Sequence, residues 1–359
     1  MVIKLPHDVL NRYVLTRTGA KDPSVIVGPA IGEDAAVIEL DYGNFLVAHV
    51  DPIIGAISTM GWLAVNVVSN DIAVRGVRPR WLLSDIFLPE GSSAELLDRL
   101  TSQIDEAAKE IGVMIVGGHS GFAPGLERPL ISMTAIGVAE GGKFVTTSGA
   151  RDEDLVIMTK AAGIEGTAIL ATDFGKELLK KGVSEEVLKR AESFLRRVSI
   201  IKEALALSGI ASSMHDPTNG GVIEGLAEIA YASKKTIEVW ENSIPVAQET
   251  SAIARALGLN PFKLISSGAL IATVPESKKD EALIKLSGLG LTGSVIGKVR
   301  ESSGSYVKLH KNDGSVEEIQ DVYVRDELDQ VWEKLGKDLV HTPASRSPNL
   351  ESQGSPRKW

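Results

Sequence analysis

Four aspartates, each at the edge of an apolar segment, restrict how this chain can fold more than any other feature of its sequence. Asp34, Asp51, Asp71 and Asp216 each lie in a short phrase rich in small residues. A lone aspartate beside glycine commonly caps a helix or closes a turn. Several carboxylates held close together repel one another unless a cation neutralises them. Because Mg²⁺ prefers oxygen ligands and joins carboxylates to substrate phosphates, these four positions predict a site for Mg²⁺ and ATP.

The first half of the chain alternates strand-like and helix-like segments. Two strand patterns, at 35–40 and 44–50, are joined by the tight turn Asp41-Tyr42-Gly43. Such a hairpin places the start of the first strand beside the end of the second, so it brings Asp51 to Asp34. Further strands are predicted at 81–88, 113–116 and 130–138, and helices at 58–74 and 92–111. The order β-β-α-β-α-β-β predicts a mixed α/β sheet with helices on one side.

A second unit begins near Gly149, after which strand and helix patterns start again. We predict an amino-terminal domain over 1–148, a carboxy-terminal domain over 149–305 and an extension over 306–341. From Thr342 onward, Ser, Pro, Asn and Gln dominate without apolar periodicity, which predicts a disordered tail over 342–359. In the second domain the predicted strands are 155–159, 237–240, 270–274 and 294–299, and the predicted helices are 184–195, 199–207 and 221–233.

Composition limits the classes of function. A length of 359 residues exceeds what one hydrophobic core fills and predicts two domains. The net charge of -9 argues against a nucleic-acid partner, which normally requires a basic face. The chain has no cysteine, which excludes disulfides, thiolate zinc sites and a cysteine nucleophile. Neither a signal peptide nor a long apolar run is visible, so we expect a cytoplasmic protein without a membrane partner.

The loop from His215 to Gly221 is the next strongest signal. It contains Asp216, Thr218, Gly220 and Gly221 directly before a predicted helix. Glycines let backbone amides approach a phosphate, and the start of a helix adds a positive dipole end. An ordinary Asp/Thr cap followed by glycine is the simpler interpretation. His215 is predicted either to support the neighbouring Asp216 or to be structural. The Asp-Pro-Thr spacing favours a nucleotide contact.

Two further candidates lie beside predicted strand and helix ends. Gly117, Gly118 and His119 follow a buried strand pattern and are predicted to contact nucleotide. His119 has three interpretations: a neutral imidazole metal ligand, a protonated phosphate contact or a turn residue. If it replaces a carboxylate ligand, changing it to aspartate should strengthen Mg²⁺ binding. Asn70 is predicted to serve as an orienting amide beside Asp71.

A fixed series of short phrases gives the chain a resemblance to a known family. The phrases occupy residues 32–37, 70–76, 115–118 with 136–139, 147–154 and 216–222. Their order resembles the aminoimidazole ribonucleotide (AIR) synthetase-like, or PurM-like, superfamily. The resemblance implies an amino-terminal and a carboxy-terminal AIR synthase-related domain, each α/β. It also implies a homodimer formed through the first domains and ATP bound near the domain junction.

Within that superfamily the second half is most similar to the hydrogenase expression/formation (HypE) group. The residues that carry this similarity are 147–150, 163–170, 216–221, 244–246 and 257–261. Three features depart from the group's pattern. The chain ends in Lys358-Trp359 and has no tail cysteine to carry a carbamoyl group, His119 replaces a common aspartate, and Asn219 replaces a common arginine.

The resemblance implies ATP-driven activation of an amide or carbonyl oxygen, as in a dehydratase or a cyclo-ligase, with a connection to hydrogenase maturation. Asp71 and Asp216 are the candidate catalytic residues. The expected partners are a small-molecule or peptide substrate and a maturation protein. Two alternatives stay open. One is a small-molecule kinase of the thiamine-monophosphate type, and the other is a non-catalytic protein that holds nucleotide or a maturation partner.

Overall fold

A computed structural model describes residues 5, 7–54, 56 and 58–335 of the chain. The predicted tail at 342–359 lies outside the described residues. The helices are α1 (His7–Leu10), α2 (Met60–Ala73), α3 (Ala94–Ile111), α4 (Ile164–Lys180), α5 (Glu185–Glu192), α6 (Ile201–Leu207), α7 (Gly221–Ser233), α8 (Gln248–Leu257), α9 (Lys279–Gly288) and α10 (Glu327–Leu335). Over these described residues, no helix has the length and apolar character needed to cross a bilayer.

The strands form two mixed sheets, one in each half of the chain. The first sheet has the order β1-β2-β3-β6-β4-β5, and the second has the order β13-β12-β9-β11-β7-β10-β8. The strands are β1 (Val25–Val27), β2 (Ala36–Glu39), β3 (Phe45–Ile53), β4 (Pro79–Leu88), β5 (Met114–Phe122), β6 (Leu130–Ala139), β7 (Leu155–Thr159), β8 (Ser213–His215), β9 (Lys235–Trp240), β10 (Ile271–Val274), β11 (Gly293–Glu301), β12 (Val307–His310) and β13 (Val316–Ile319). The mixed α/β class predicted from the sequence is confirmed.

The first sheet has one covered face and one open face. Helix α2 packs against β3 and β6, and its side chains are buried along its whole length. Helix α3 is amphipathic: Ser93 caps its first turn, and Gly112 ends it in a left-handed conformation with φ 75°. On the opposite face, the apolar side chains of Val50 on β3 and Leu83 on β4 stay exposed, and both residues pair with Thr134 on the intervening β6. The prediction of helices on one side of this sheet is therefore confirmed.

The second sheet is covered on both faces. Val156 and Met158 of β7 pack into the cluster that contains α7, whereas Ile157 packs with α6 and α9. Successive strand residues point to opposite faces, so a strand buried on both sides carries a continuous apolar run. Strand β12 pairs in parallel with β9, and β13 follows as the edge strand. The segment predicted as an extension therefore contributes two strands to this sheet.

Asn70 joins the two halves of the molecule. Its Nδ2 donates to Val198 O at 2.9 Å, and its Oδ1 accepts from the backbone N–H of Ile200 at 3.0 Å. The side chain is fully buried, so both of these polar contacts replace water. Nearby, Trp62 Nε1 donates to Leu195 O at 2.8 Å. Helix α2 is thus fastened to the 195–200 segment of the second half by side-chain hydrogen bonds.

Candidate functional site

The fold gathers three of the predicted aspartates around one cavity of about 330 Å³. Strands β2 and β3 pair antiparallel, with Ala36 opposite Ala48, so the hairpin brings Asp34 and Asp51 to the same end. Asp71 reaches the cavity from the last turn of the buried helix α2. The predicted convergence of these three carboxylates is present in the structure.

Asp216 lies beside this cavity, directly after β8. One of its carboxylate oxygens, one oxygen of Asp34 and a ring nitrogen of His215 all lie within 4.8 Å of one another. Asp216 is 1% exposed, and neither of its oxygens has a hydrogen-bond partner among the residues that the structure describes. A buried carboxylate without partners costs several kcal/mol unless a cation or donor meets it. Asp216 is therefore the clearest sign that the cluster is built around a ligand.

The carboxylates perturb one another's protonation. Burial, followed by the charges of Asp216, Asp51 and Asp34, raises the pKa of Asp71 well above its usual range. Burial and the charge of Asp34 raise the pKa of Asp216 to about 7. A divalent cation removes this repulsion, because it favours the charged form of every ligand. The donor set, which consists of carboxylate oxygens, fits a hard cation such as Mg²⁺.

His215 is held between two buried carboxylates. Its Nδ1 lies 2.6 Å from Asp34 Oδ1, and its Nε2 lies 2.7 Å from Glu228 Oε2 on α7. Burial opposes a charge on the ring, but Asp34 and Glu228 outweigh it and raise the pKa of His215 well above its ordinary value. The imidazolium donates from Nε2 to Glu228 and forms an ion pair through Nδ1 with Asp34, which holds the Asp34 carboxylate in place.

Arg75 holds Asp34 and Glu33 from the other side. The guanidinium is fully buried, with Nη1 2.7 Å from Glu33 Oε2 and Nη2 3.5 Å from Asp34 Oδ2. Nη2 also donates to Thr147 Oγ1 at 3.1 Å, and the Thr147 hydroxyl donates to Asp34 Oδ2 at 3.3 Å. Since Thr147 precedes the second domain, this network links the first carboxylate to the domain junction.

His49 faces the same cavity in a different protonation state. Its Nε2 lies 3.6 Å from Asp71 Oδ2. Burial lowers the pKa of His49 to about 4, although the nearby Asp34 carboxylate opposes that shift. The ring is therefore neutral at physiological pH, and it contacts Asp71 as a dipole and not as a counter-ion.

The glycine loop after Asp216 is used mainly for packing. The Gly220 N–H donates at 2.8 Å to Oδ2 of Asp326, the residue just before α10. Gly221 has φ 64°, and a Cβ there would meet the carbonyl oxygens of Phe262 and Leu264 at 2.6 Å. Thr218, in contrast, lines the carboxylate cavity. Of the residues predicted in this loop besides Asp216, only Thr218 lies at the cluster.

Two other predicted contacts lie apart from the cluster. Asn70 uses its amide at the domain junction, as described above, which leaves neither side-chain atom directed at a nucleotide. Gly117, Gly118 and His119 lie on the edge strand β5 and line a separate hollow beside α3. The His119 ring instead lies 6.2 Å from the Phe87 ring. Within one chain the structure does not bring these four residues to the carboxylates.

Sequence reasoning missed three residues that orient the cluster: Arg75, His49 and Glu228. Arg75 and His49 lie within four residues of predicted aspartates, so their proximity in sequence was a usable signal. Glu228 offered none, because an acidic residue in a helix is normally solvent-exposed. His215 was predicted to support the neighbouring Asp216 or to be structural, and its position between two carboxylates was not foreseen.

Two family models match the chain. The model described as "AIR synthase related protein, N-terminal domain" matches residues 32–139. The model described as "AIR synthase related protein, C-terminal domain" matches residues 151–310. The chain belongs to the AIR synthase related protein family. This confirms the two-domain family architecture that the sequence motifs indicated.

Within this family, the chain is similar to proteins of hydrogenase maturation. It is 30% identical over 251 residues to a putative hydrogenase expression/formation protein of Methanocaldococcus jannaschii, which covers 69% of this chain and 72% of that protein. It is 28% identical over 300 residues to carbamoyl dehydratase HypE of Rhizobium leguminosarum bv. viciae. This match covers 77% of this chain and 80% of that protein.

Solved structures share the fold. Hydrogenase maturation protein HypE in complex with ATP superimposes with a TM-score of 0.67 at 23% identity and covers 90% of this chain and 96% of that one. A chain of the HypE–HypF complex superimposes with a TM-score of 0.64 at 25% identity and covers 80% and 93%. The similarity to the HypE group predicted from the second half is confirmed.

Proposed function

We propose that this AIR synthase related protein binds ATP with Mg²⁺ and uses it to activate an amide or carbonyl oxygen for dehydration, in the context of hydrogenase maturation. The observation that carries the proposal is the convergence of Asp34, Asp51, Asp71 and Asp216, with both oxygens of Asp216 buried and, within the described part of the chain, without a hydrogen-bond partner. The likeness to a protein named carbamoyl dehydratase and to a HypE that binds ATP supports the nucleotide and the class of chemistry.

The charged residues of the site have two roles. Mg²⁺, which neutralises phosphate charge when it is bound, would be held by the carboxylates of Asp34, Asp51, Asp71 and Asp216. Thr218 lines the same cavity and offers a hydroxyl to a phosphate oxygen. Arg75 and His215 are both buried, and their charged side chains hold the Asp34 carboxylate in place. Such a site acts by positioning and by electrostatic stabilisation, as phosphoryl transfer generally requires.

The proposed reaction begins when the amide oxygen attacks the γ-phosphorus of ATP, which forms an O–P bond and breaks the bond to ADP. The activated C–O bond then breaks, and phosphate leaves with the oxygen. Two N–H protons are lost as the C–N single bond becomes a triple bond, so a primary amide becomes a nitrile. ATP is converted to ADP and phosphate, and the oxygen removed from the amide leaves in that phosphate.

A turnover assay tests this proposal against the two alternatives. The protein is incubated with Mg-ATP and a panel of primary amides and carbamoyl compounds, with thiamine monophosphate as a separate arm, and ADP is measured. We expect release of ADP and inorganic phosphate that depends on an amide. ADP formation with thiamine monophosphate, accompanied by a phosphorylated product, would instead make the protein a kinase. Mg-ATP binding without turnover in any arm would make it a non-catalytic binding protein.

We also propose that the protein forms a homodimer through the open face of the first sheet. Met114 and Val116 on β5 are 66% and 49% exposed. Leu83 adds apolar surface on the neighbouring β4, and Val50 adds it further across the sheet on β3. An unpaired edge strand beside an exposed apolar face is a common interaction surface. The solved HypE–HypF complex supports a maturation protein as a further partner.

Val116→Lys is expected to convert the dimer to a monomer, because it places a charge on an apolar face that the dimer would desolvate. Size-exclusion chromatography with light scattering measures the mass. Val295→Lys is the matched control, since Val295 is also exposed but lies on β11 of the second sheet. If the Val116 variant stays dimeric, or if both variants dissociate, the proposed interface is wrong.

A further inference from the structure

Residues 321–335, which we call the carboxy-terminal segment, lie beyond the match to the carboxy-terminal family model, which ends at residue 310. The buried side chains of this segment are Val322, Asp326, Leu328, Asp329, Val331 and Trp332. The Trp332 ring lies 5.0 Å from the ring of Phe174 on α4, and the guanidinium of Arg128, from the loop before β6, lies 4.8 Å from its centre. The segment is therefore packed against both halves of the molecule.

Asp326 joins this segment to residues 216–221, which we call the nucleotide loop. Its Oδ1 accepts from the N–H of Leu328 at 2.7 Å and caps the first turn of α10. Its Oδ2 accepts from the N–H of Gly220 at 2.8 Å. Burial raises the pKa of Asp326 to about 8, so this position is a costly one for a carboxylate. A serine would cap the helix without that cost, and the second oxygen is needed only for the loop.

Glu224 makes a second link, in the opposite direction. It lies in the first turn of α7 and is fully buried, and its Oε2 accepts from the backbone N–H of Val324 at 2.8 Å. The loop thus donates to the carboxy-terminal segment through Gly220, and the segment donates back to α7 through Val324. Two side chains, one from each partner, hold the same two stretches of backbone together.

Gly220 shows how closely these two stretches approach. Its backbone is left-handed, with φ 77°. A Cβ at this position would lie 2.7 Å from the carbonyl oxygen of Val324 and closer still to the Glu224 carboxylate. Only glycine permits both this conformation and this approach. The carboxy-terminal segment is therefore in direct contact with the end of the nucleotide loop.

We propose that the carboxy-terminal segment positions the nucleotide loop and that Asp326 is the positioning residue through which it acts on Thr218. This inference rests on the proposed function, because it takes the loop as a contact of Mg-ATP. Strand β8 holds the start of the loop by pairing with β10, and Asp326 holds its end at Gly220. A loop that is fixed at both ends has little freedom left to lose when the nucleotide binds.

The first test is a double-mutant cycle of Asp326→Ser and Thr218→Val, read out as the Kd for Mg-ATP by calorimetry on the full chain. Serine keeps the cap of α10 but is too short to reach Gly220. Asp326→Ser should weaken Mg-ATP binding about fivefold, as the loss of one hydrogen bond would. Thr218→Val should weaken binding about tenfold in the parent and less than about threefold in the Asp326→Ser background. A merely structural role for Asp326 would leave the effect of Thr218→Val unchanged.

The second test reaches the same link from the loop and leaves the cap of α10 intact. Gly220→Ala inserts a methyl group between the loop and the carboxy-terminal segment. Gly258→Ala is the matched control, since Gly258 ends α8 with a similar φ of 71° but has open space around its Cβ position. Both variants carry left-handed backbone strain, and only Gly220→Ala disturbs the contact. We expect Gly220→Ala to bind Mg-ATP at least about fivefold more weakly than Gly258→Ala.

Two results would overturn the positioning role of Asp326 while the parent binds Mg-ATP. One is an equal effect of Thr218→Val in both backgrounds, and the other is equal Mg-ATP binding by Gly220→Ala and Gly258→Ala. Each of these contradicts this inference and leaves the proposed function standing. Absence of Mg-ATP binding in the parent contradicts the proposed function, and this inference with it.

Discussion

Asp71→Asn is expected to weaken Mg-ATP binding by at least about a hundredfold, because it removes a buried charged ligand, a loss of roughly 3 kcal/mol. Calorimetric titration of ATP in the presence of Mg²⁺ measures this loss. Asp280→Asn is the control, since Asp280 is 85% exposed and distant from the cluster. Wild-type affinity in the Asp71 variant would remove this carboxylate from the cation site.

The same substitution should stabilise the ligand-free protein. The pKa of Asp71 is raised by burial and by its neighbours, so ionisation of this group in the folded state costs stability. The cost is absent below the unfolded pKa and grows as the pH rises toward the folded pKa. The gain from Asp71→Asn should therefore be larger at pH 8 than at pH 5, as measured by thermal unfolding. A loss of stability at both pH values would show that Asp71 has a structural role.

His215→Leu is expected to destabilise the protein by about 3 to 5 kcal/mol, because it leaves the Asp34 and Glu228 carboxylates buried without their shared cation. Urea denaturation measures the effect. His310→Leu is the matched control, since His310 is half-buried and stacks on Trp240 outside the cluster. A loss below about 1 kcal/mol would mean that the two carboxylates relax or take up protons at little cost.

The pH dependence of this effect has a defined sign. The pKa of His215 is raised in the folded state, so its stabilising charge is fully present below the unfolded value of about 6.5. That contribution is lost as the pH rises through the folded pKa. The difference between parent and His215→Leu should therefore shrink at alkaline pH. A difference that grows with pH would contradict an imidazolium between Asp34 and Glu228.

The local patterns of the sequence were sufficient to predict the elements that position Asp34, Asp51 and Asp71. The turn at Asp41–Gly43 between two strand patterns predicted the hairpin, and the hairpin alone places Asp51 beside Asp34. The helix pattern at 58–74 placed Asp71 near its end. These features are local, so hydrophobic periodicity and turn residues determine them.

Contacts between distant segments were beyond local patterns. Asn70 looked like a ligand because it precedes Asp71, but its amide bonds to backbone 128 and 130 residues away. His119 on β5 pairs with Asp85 on β4. The pairing of these two strands shifts register next to Leu83, before it reaches His119. Which helix face meets which domain is set by tertiary packing, and periodicity carries no information about that.

The most direct test of the central claim, that the aspartate cluster holds a cation and a nucleotide triphosphate together, is calorimetric titration of ATP into the protein with Mg²⁺ and, separately, with EDTA. We expect saturable binding with Mg²⁺ and none with EDTA, because ATP without a cation would meet several buried carboxylates of like charge. Equal binding in both conditions, or no binding with Mg²⁺, would contradict the assignment of Asp34, Asp51, Asp71 and Asp216 as a cation–nucleotide site.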